Sequence, residues 1–174
     1  GDRSGSGVCA ANADVRAYIA ALCADLSEQF GVALFRLEGV ISHTFDLDWL
    51  RPRNLVTIPP FARTLANLCF CESCKGRGKA VGIDVAALQI RVVRAIEAEI
   101  AGEAGGAVRA AALASDVALI AFTENHVCAS IELVQQVVAR VGHAAQVSCN
   151  ANTPYRSLLG DARDDALLTG FIDD

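Results

Sequence analysis

The stretch Leu68-Cys69-Phe70-Cys71-Glu72-Ser73-Cys74 constrains this chain more than any other. Three of its seven cysteines fall there within six residues. Cys-x-Cys-x-x-Cys is a spacing that metal ligands use, and a structural zinc ion wants four thiolate or imidazole ligands. Cys69, Cys71 and Cys74 therefore need one more, and Cys9, Cys128, Cys149 or a histidine could supply it. The competing reading is three free thiols in a core, where cysteine behaves as a small hydrophobe. A redox role for Cys71 and Cys74 is weaker. A helix beginning there would lower a thiol pKa, but Gly76 and Gly78 weaken such a helix.

Composition bears on which thiol chemistry is open. The chain has 174 residues, 53% of them hydrophobic and 20% charged, enough to bury the core of a single domain. An odd number of unevenly spaced cysteines in so apolar a chain argues against a secreted disulfide framework. Reduced thiols and a cytoplasmic location are expected instead. The net charge of -5 gives no bulk attraction to nucleic acid or to an anionic membrane surface. No run of eighteen apolar residues is free of charge, so no membrane-spanning helix is expected. The first seven residues lack the apolar core of a signal peptide.

Along the chain, residues 1–11 read as a flexible lead. Asn12 is a good N-cap, with Asp14 in the first turn, and apolar residues at helical spacing extend a helix over Ala13–Gln29 to a stop at Gly31. Val32–Leu37 is short and apolar and reads as a strand buried on both faces. A long connection follows from Gly39. Pro59-Pro60 opens a short helix that runs through Leu68. Asp84 caps a helix over Val85–Ala101. Residues 102–106 break it, and Ala107–Val141 is helical in two pieces up to Gly142. Ala145–Cys149 reads as a second strand, Asp161–Leu168 as a last helix, and Phe171–Asp174 as the start of a strand. The alternation predicts an α/β fold in which Val32–Leu37 and Ala145–Cys149 pair in parallel, with Ala13–Gln29 and Val85–Ala101 covering them. Two strands are few for a self-sufficient sheet, so the chain reads as part of a larger fold.

Glu38 stands where the first strand opens into the long loop. A carboxylate at the carboxyl end of a parallel strand can act as acid, base or nucleophile. The plainer alternative pairs it with Arg36 or Arg51. His43, Asp46, Asp48 and Trp49 lie in the same loop, and carboxylates beside an aromatic ring suit a sugar; a loop stapled by Phe45 and Trp49 would look the same. His126 and Cys128 fall on an apolar helix, where core packing is the expectation.

Taken in order, these motifs resemble a family. Val8–Tyr18, Phe35-Arg36-Leu37-Glu38-Gly39, the cysteine segment and Gly82-Ile83-Asp84-Val85 look like elements of bacterial glycoside-hydrolase-like (β/α)8 barrel proteins. The resemblance implies a segment of a TIM barrel acting on a saccharide, with Glu38 and Asp46 as catalytic carboxylates. It makes His43, Asp48 and Trp49 substrate contacts and Cys69, Cys71 and Cys74 ligands of a structural zinc. Glycoside hydrolysis ordinarily uses two carboxylates flanking the bond, and the strand ending at Cys149 is followed by Asn150 and not by an acid. A second resemblance, of Cys71-Glu-Ser-Cys74-Lys-Gly76-Arg-Gly78 to one copy of the repeat in DnaJ-type zinc domains, implies a non-catalytic zinc-stabilised interaction module.

Overall fold

The computed structural model describes residues 8–37 and 59–149. Six α-helices and one two-stranded sheet lie among them: α1 (Ala13–Phe30), β1 (Leu34–Leu37), α2 (Pro60–Ala66), α3 (Glu72–Ala80), α4 (Val85–Ile100), α5 (Gly106–Ala114), α6 (Val117–Val141) and β2 (Gln146–Cys149). A single 3-10 turn, Gly142–Ala144, joins α6 to β2.

Local chemistry sets the boundaries. The Asn12 side chain accepts from Asp14 N at 2.9 Å and starts α1. Gly31, at φ 66, ends it, donating its N–H to the Ser27 carbonyl; an L-residue with a Cβ adopts that conformation only at a cost. Asp84 starts α4 by accepting from Ala87 N. Asp116 starts α6 by accepting from Ala118 N and Leu119 N, and it also pairs with Arg91 of α4.

The long helix α6 is the scaffold. Its first half carries Leu119, Phe122 and Val127 into one core, shared with Leu65, Leu68, Cys74, Val85, Leu88 and Val92. Its second half carries Leu133, Val137 and Val141 into another, shared with Ala20 and Cys23 of α1 and Phe35 of β1. One apolar stripe at a period of 3.6 thus serves two sets of partners. By length and composition alone, Val117–Ala144 could cross a membrane, and 44% of its most apolar window is buried inside the fold.

β1 and β2 pair in parallel, in the register Leu34↔Gln146 to Leu37↔Cys149. The expected strands and their relative direction are therefore present, but the wider architecture is not. The described residues form a mainly helical fold with two strands, which corrects the expectation of an α/β chain built as a (β/α)8 TIM-barrel segment. Nor is β1 buried on both faces: Phe35 is buried while Leu34 and Arg36 are exposed. An unbroken apolar run looks alike in a strand buried on two sides and in a strand backed by helices on one. Here α1 and α6 back the sheet, and Val85, Leu88, Val92 and Ala95 of α4 belong to the other core. The expected final helix and strand, Asp161–Leu168 and Phe171–Asp174, lie outside the described residues.

Candidate metal centre

α2 ends at Asn67, and the chain turns through Leu68–Phe70 before α3 begins at Glu72. Leu68 is buried in the first core, and the Phe70 ring stacks on Phe122 with centroids 4.9 Å apart. These two anchors fix the turn that presents the cysteines. Cys71 is the N-cap of α3, and Cys74 lies one turn further on and is 3% exposed. The amide N–H groups of a helix start favour negative charge. α3 forms with both Gly76 and Gly78 inside it. At Gly78 the reason is packing: a Cβ there would lie 2.6 Å from Val85 Cγ2 and 3.1 Å from the Phe122 ring.

Cys9 completes the group. It precedes α1, 65 residues from Cys74, and its Sγ lies 3.4 Å from that of Cys74. All four Sγ atoms, of Cys9, Cys69, Cys71 and Cys74, lie within 4.8 Å of one another. Four thiolates about 2.3 Å from a tetrahedral ion sit about 3.8 Å apart. The described geometry is therefore of the right size for one ion, and these four cysteines could bind a metal. Of the candidates for the missing ligand, the fold selects Cys9 over Cys128 and Cys149, which are outside the cluster. No disulfide joins the described cysteines.

The sulfurs perturb one another strongly. Hydrogen bonds from Cys74 and Cys9 hold the Cys69 thiol far below its ordinary range, with further help from His126. The same contacts act in reverse on the donors. Hydrogen bonding to Cys69 pushes Cys74 up, and it raises Cys9 to about 12. A cation bound among the four sulfurs would favour their deprotonated forms.

His126, assigned to plain core packing from the sequence, does more. Its ring packs edge-on against Phe122, and Nε2 lies 3.1 Å from Cys69 N and 3.0 Å from Cys69 O. No feature of the sequence connects these two residues; only the packing of α6 against the cysteine turn does. Cys128, half-buried on the same helix, has its thiol raised by burial.

The residues expected to handle a saccharide, Glu38, His43, Asp46, Asp48 and Trp49, lie outside the described residues. The resemblance to glycoside-hydrolase-like barrels is overturned on other grounds. The helical fold with its two strands contains no barrel among the described residues, so the hydrolase reading has lost its framework. Comparison of the chain with protein-family models, with curated proteins and with solved structures found no match.

Proposed function

We propose that this chain is a zinc-stabilised helical module that binds a partner and does not itself catalyse a reaction. One zinc ion would be held by the thiolates of Cys9, Cys69, Cys71 and Cys74. The observation that carries this reading is the convergence of four sulfurs to within 4.8 Å of one another. Tetrahedral sulfur coordination suits zinc, and catalytic zinc sites keep one position open for water or substrate. Four protein thiolates leave no such position, which favours a structural ion. Function then falls to the surface that the ion stabilises. Free thiolates that must stay reduced agree with a cytoplasmic setting.

Elemental analysis of protein purified without chelator tests the reading. About one zinc per chain is expected, with loss of the metal on replacement of Cys74 by Ser. Protein that carries no metal, or iron in its place, rejects the assignment to zinc. Thermal unfolding before and after chelation tests the structural role. Ion held at a thousand times its Kd contributes about 4 kcal/mol to the native state, and an unchanged Tm would rule that role out.

A further inference from the structure

Three ligands arrive together on the turn into α3, but Cys9 arrives alone from the segment ahead of α1. Something must hold that segment against α3. Arg16, in the first turns of α1, donates from Nη1 to the Ala10 carbonyl at 2.7 Å, next to Cys9. Its Nη2 lies 3.5 Å from Glu132 Oε2, and its side chain is only 11% exposed. Arg77, one turn beyond Cys74 on α3, grips the same carboxylate with two parallel bonds of 2.9 and 2.7 Å. Glu132 therefore joins two guanidinium groups, one from each ligand-bearing segment. It stands on α6, which supplies no ligand to the cluster. Without its charge, two partly buried cations would face each other, and loss of one partner in such a group is costly.

We propose, resting on the metal reading above, that Glu132 is a positioning residue for this centre. It clamps Arg16 of the Cys9 arm to Arg77 of the helix that carries Cys74. The fourth sulfur then stands in place before the ion arrives. Groups that orient metal ligands without touching the ion set affinity in this way, and their loss costs about 10–100-fold in metal binding.

The test is a cobalt(II) titration of the full chain, read by absorption and by competition with a coloured chelator. The unaltered chain should give a four-thiolate cobalt spectrum. Glu132→Gln keeps the shape and removes the charge; affinity should fall about 10–100-fold, and the spectrum should move toward that of Cys9→Ser, with one thiolate lost. In a Cys9→Ser background, adding Glu132→Gln should weaken cobalt binding no further, because the arm no longer carries a ligand. If Glu132 only stabilised the fold, it would weaken both backgrounds by the same factor, and that result overturns the proposal. Should Glu132→Gln not fold, Arg16→Lys replaces it, since it keeps the charge but gives up the two-armed link between the Ala10 carbonyl and Glu132; the same comparison of backgrounds applies. No cobalt binding by the unaltered chain would remove the metal reading and this proposal together. Normal binding with equal losses in the two backgrounds would remove only the role of Glu132.

Discussion

His126 and Cys69 meet across 57 residues of sequence, the imidazole Nε2 lying 3.1 Å from the Cys69 nitrogen and 3.0 Å from its carbonyl oxygen. As an acceptor, Nε2 takes the Cys69 N–H; as a donor, it serves the Cys69 carbonyl. The other ring nitrogen lies 3.0 Å from the Phe122 carbonyl, one turn back on α6. The histidine thus fastens Cys69 to the scaffold helix from outside the set of sulfurs.

Replacing His126 by Ala should therefore weaken metal binding by about 10-fold or more while leaving about one ion per chain at saturation. Chelator competition measures the affinity. Unaltered affinity would show that the turn at Cys69 holds its shape without the ring.

Two glycines in one helix should behave oppositely. Gly78→Ala drives a Cβ into Val85 and Phe122, and overpacking of this kind costs about 1–3 kcal/mol. At exposed Gly76 a Cβ meets nothing within 4 Å, so Gly76→Ala should stabilise by about 0.5–1 kcal/mol through helix propensity alone. Urea denaturation of the two variants separates the effects. Equal shifts would mean that Gly78 is not packed as described.

Asp116 links the start of α6 to α4. Burial alone would raise its pKa, but the hydrogen bond from Arg91 and the backbone N–H groups of Leu119 and Ala118 outweigh this and hold it below the ordinary 3.8. A carboxyl whose pKa is lower in the folded state contributes stability that is fully present above the unfolded value. That stability is lost as pH falls through the folded value. Stability should thus decline below about pH 4, and Asp116→Asn should flatten that part of the profile. Asp116→Ala, which also loses the cap, should cost about 1 kcal/mol at neutral pH. Chemical denaturation across pH 2 to 7 checks both; an identical acid limb in Asp116→Asn would count against the Arg91 pairing.

Metal binding should weaken steeply as pH drops, since protons compete for four thiolates. With hydrogen bonding to Cys69 and burial raising the Cys9 thiol to about 12, the ion-free protein holds that proton through the neutral range, and binding should release it. Calorimetry in buffers of different ionisation enthalpy counts the protons released. A count near zero at pH 7 would contradict coordination by four thiolates.

Residues whose partners are near in sequence could be read from it. Asn12, Asp84, Gly31 and Gly142 act on backbone groups within a turn of themselves, and the helices they bound were legible. So was the cysteine segment, because three cysteines within six residues carry their spacing with them. The parallel pairing of Leu34–Leu37 with Gln146–Cys149 also followed from the alternation of elements. The barrel implied by the resemblance did not hold, and a short apolar run states that it is covered, not by what. Helices cover β1 on its Phe35 side, and the Leu34 side is open. The identity of the fourth ligand lay beyond the sequence for a related reason. Cys9, Cys128 and Cys149 are equivalent as isolated letters, and only the packing of α1 along α6 carries Cys9 to Cys74. The same holds for His126 and Glu132, which act through residues more than fifty positions away. Local sequence determines where helices start and stop because those hydrogen bonds close within one turn. The four-cysteine cluster needs groups from two distant segments to coincide within ångströms, and only the tertiary fold settles which ones do.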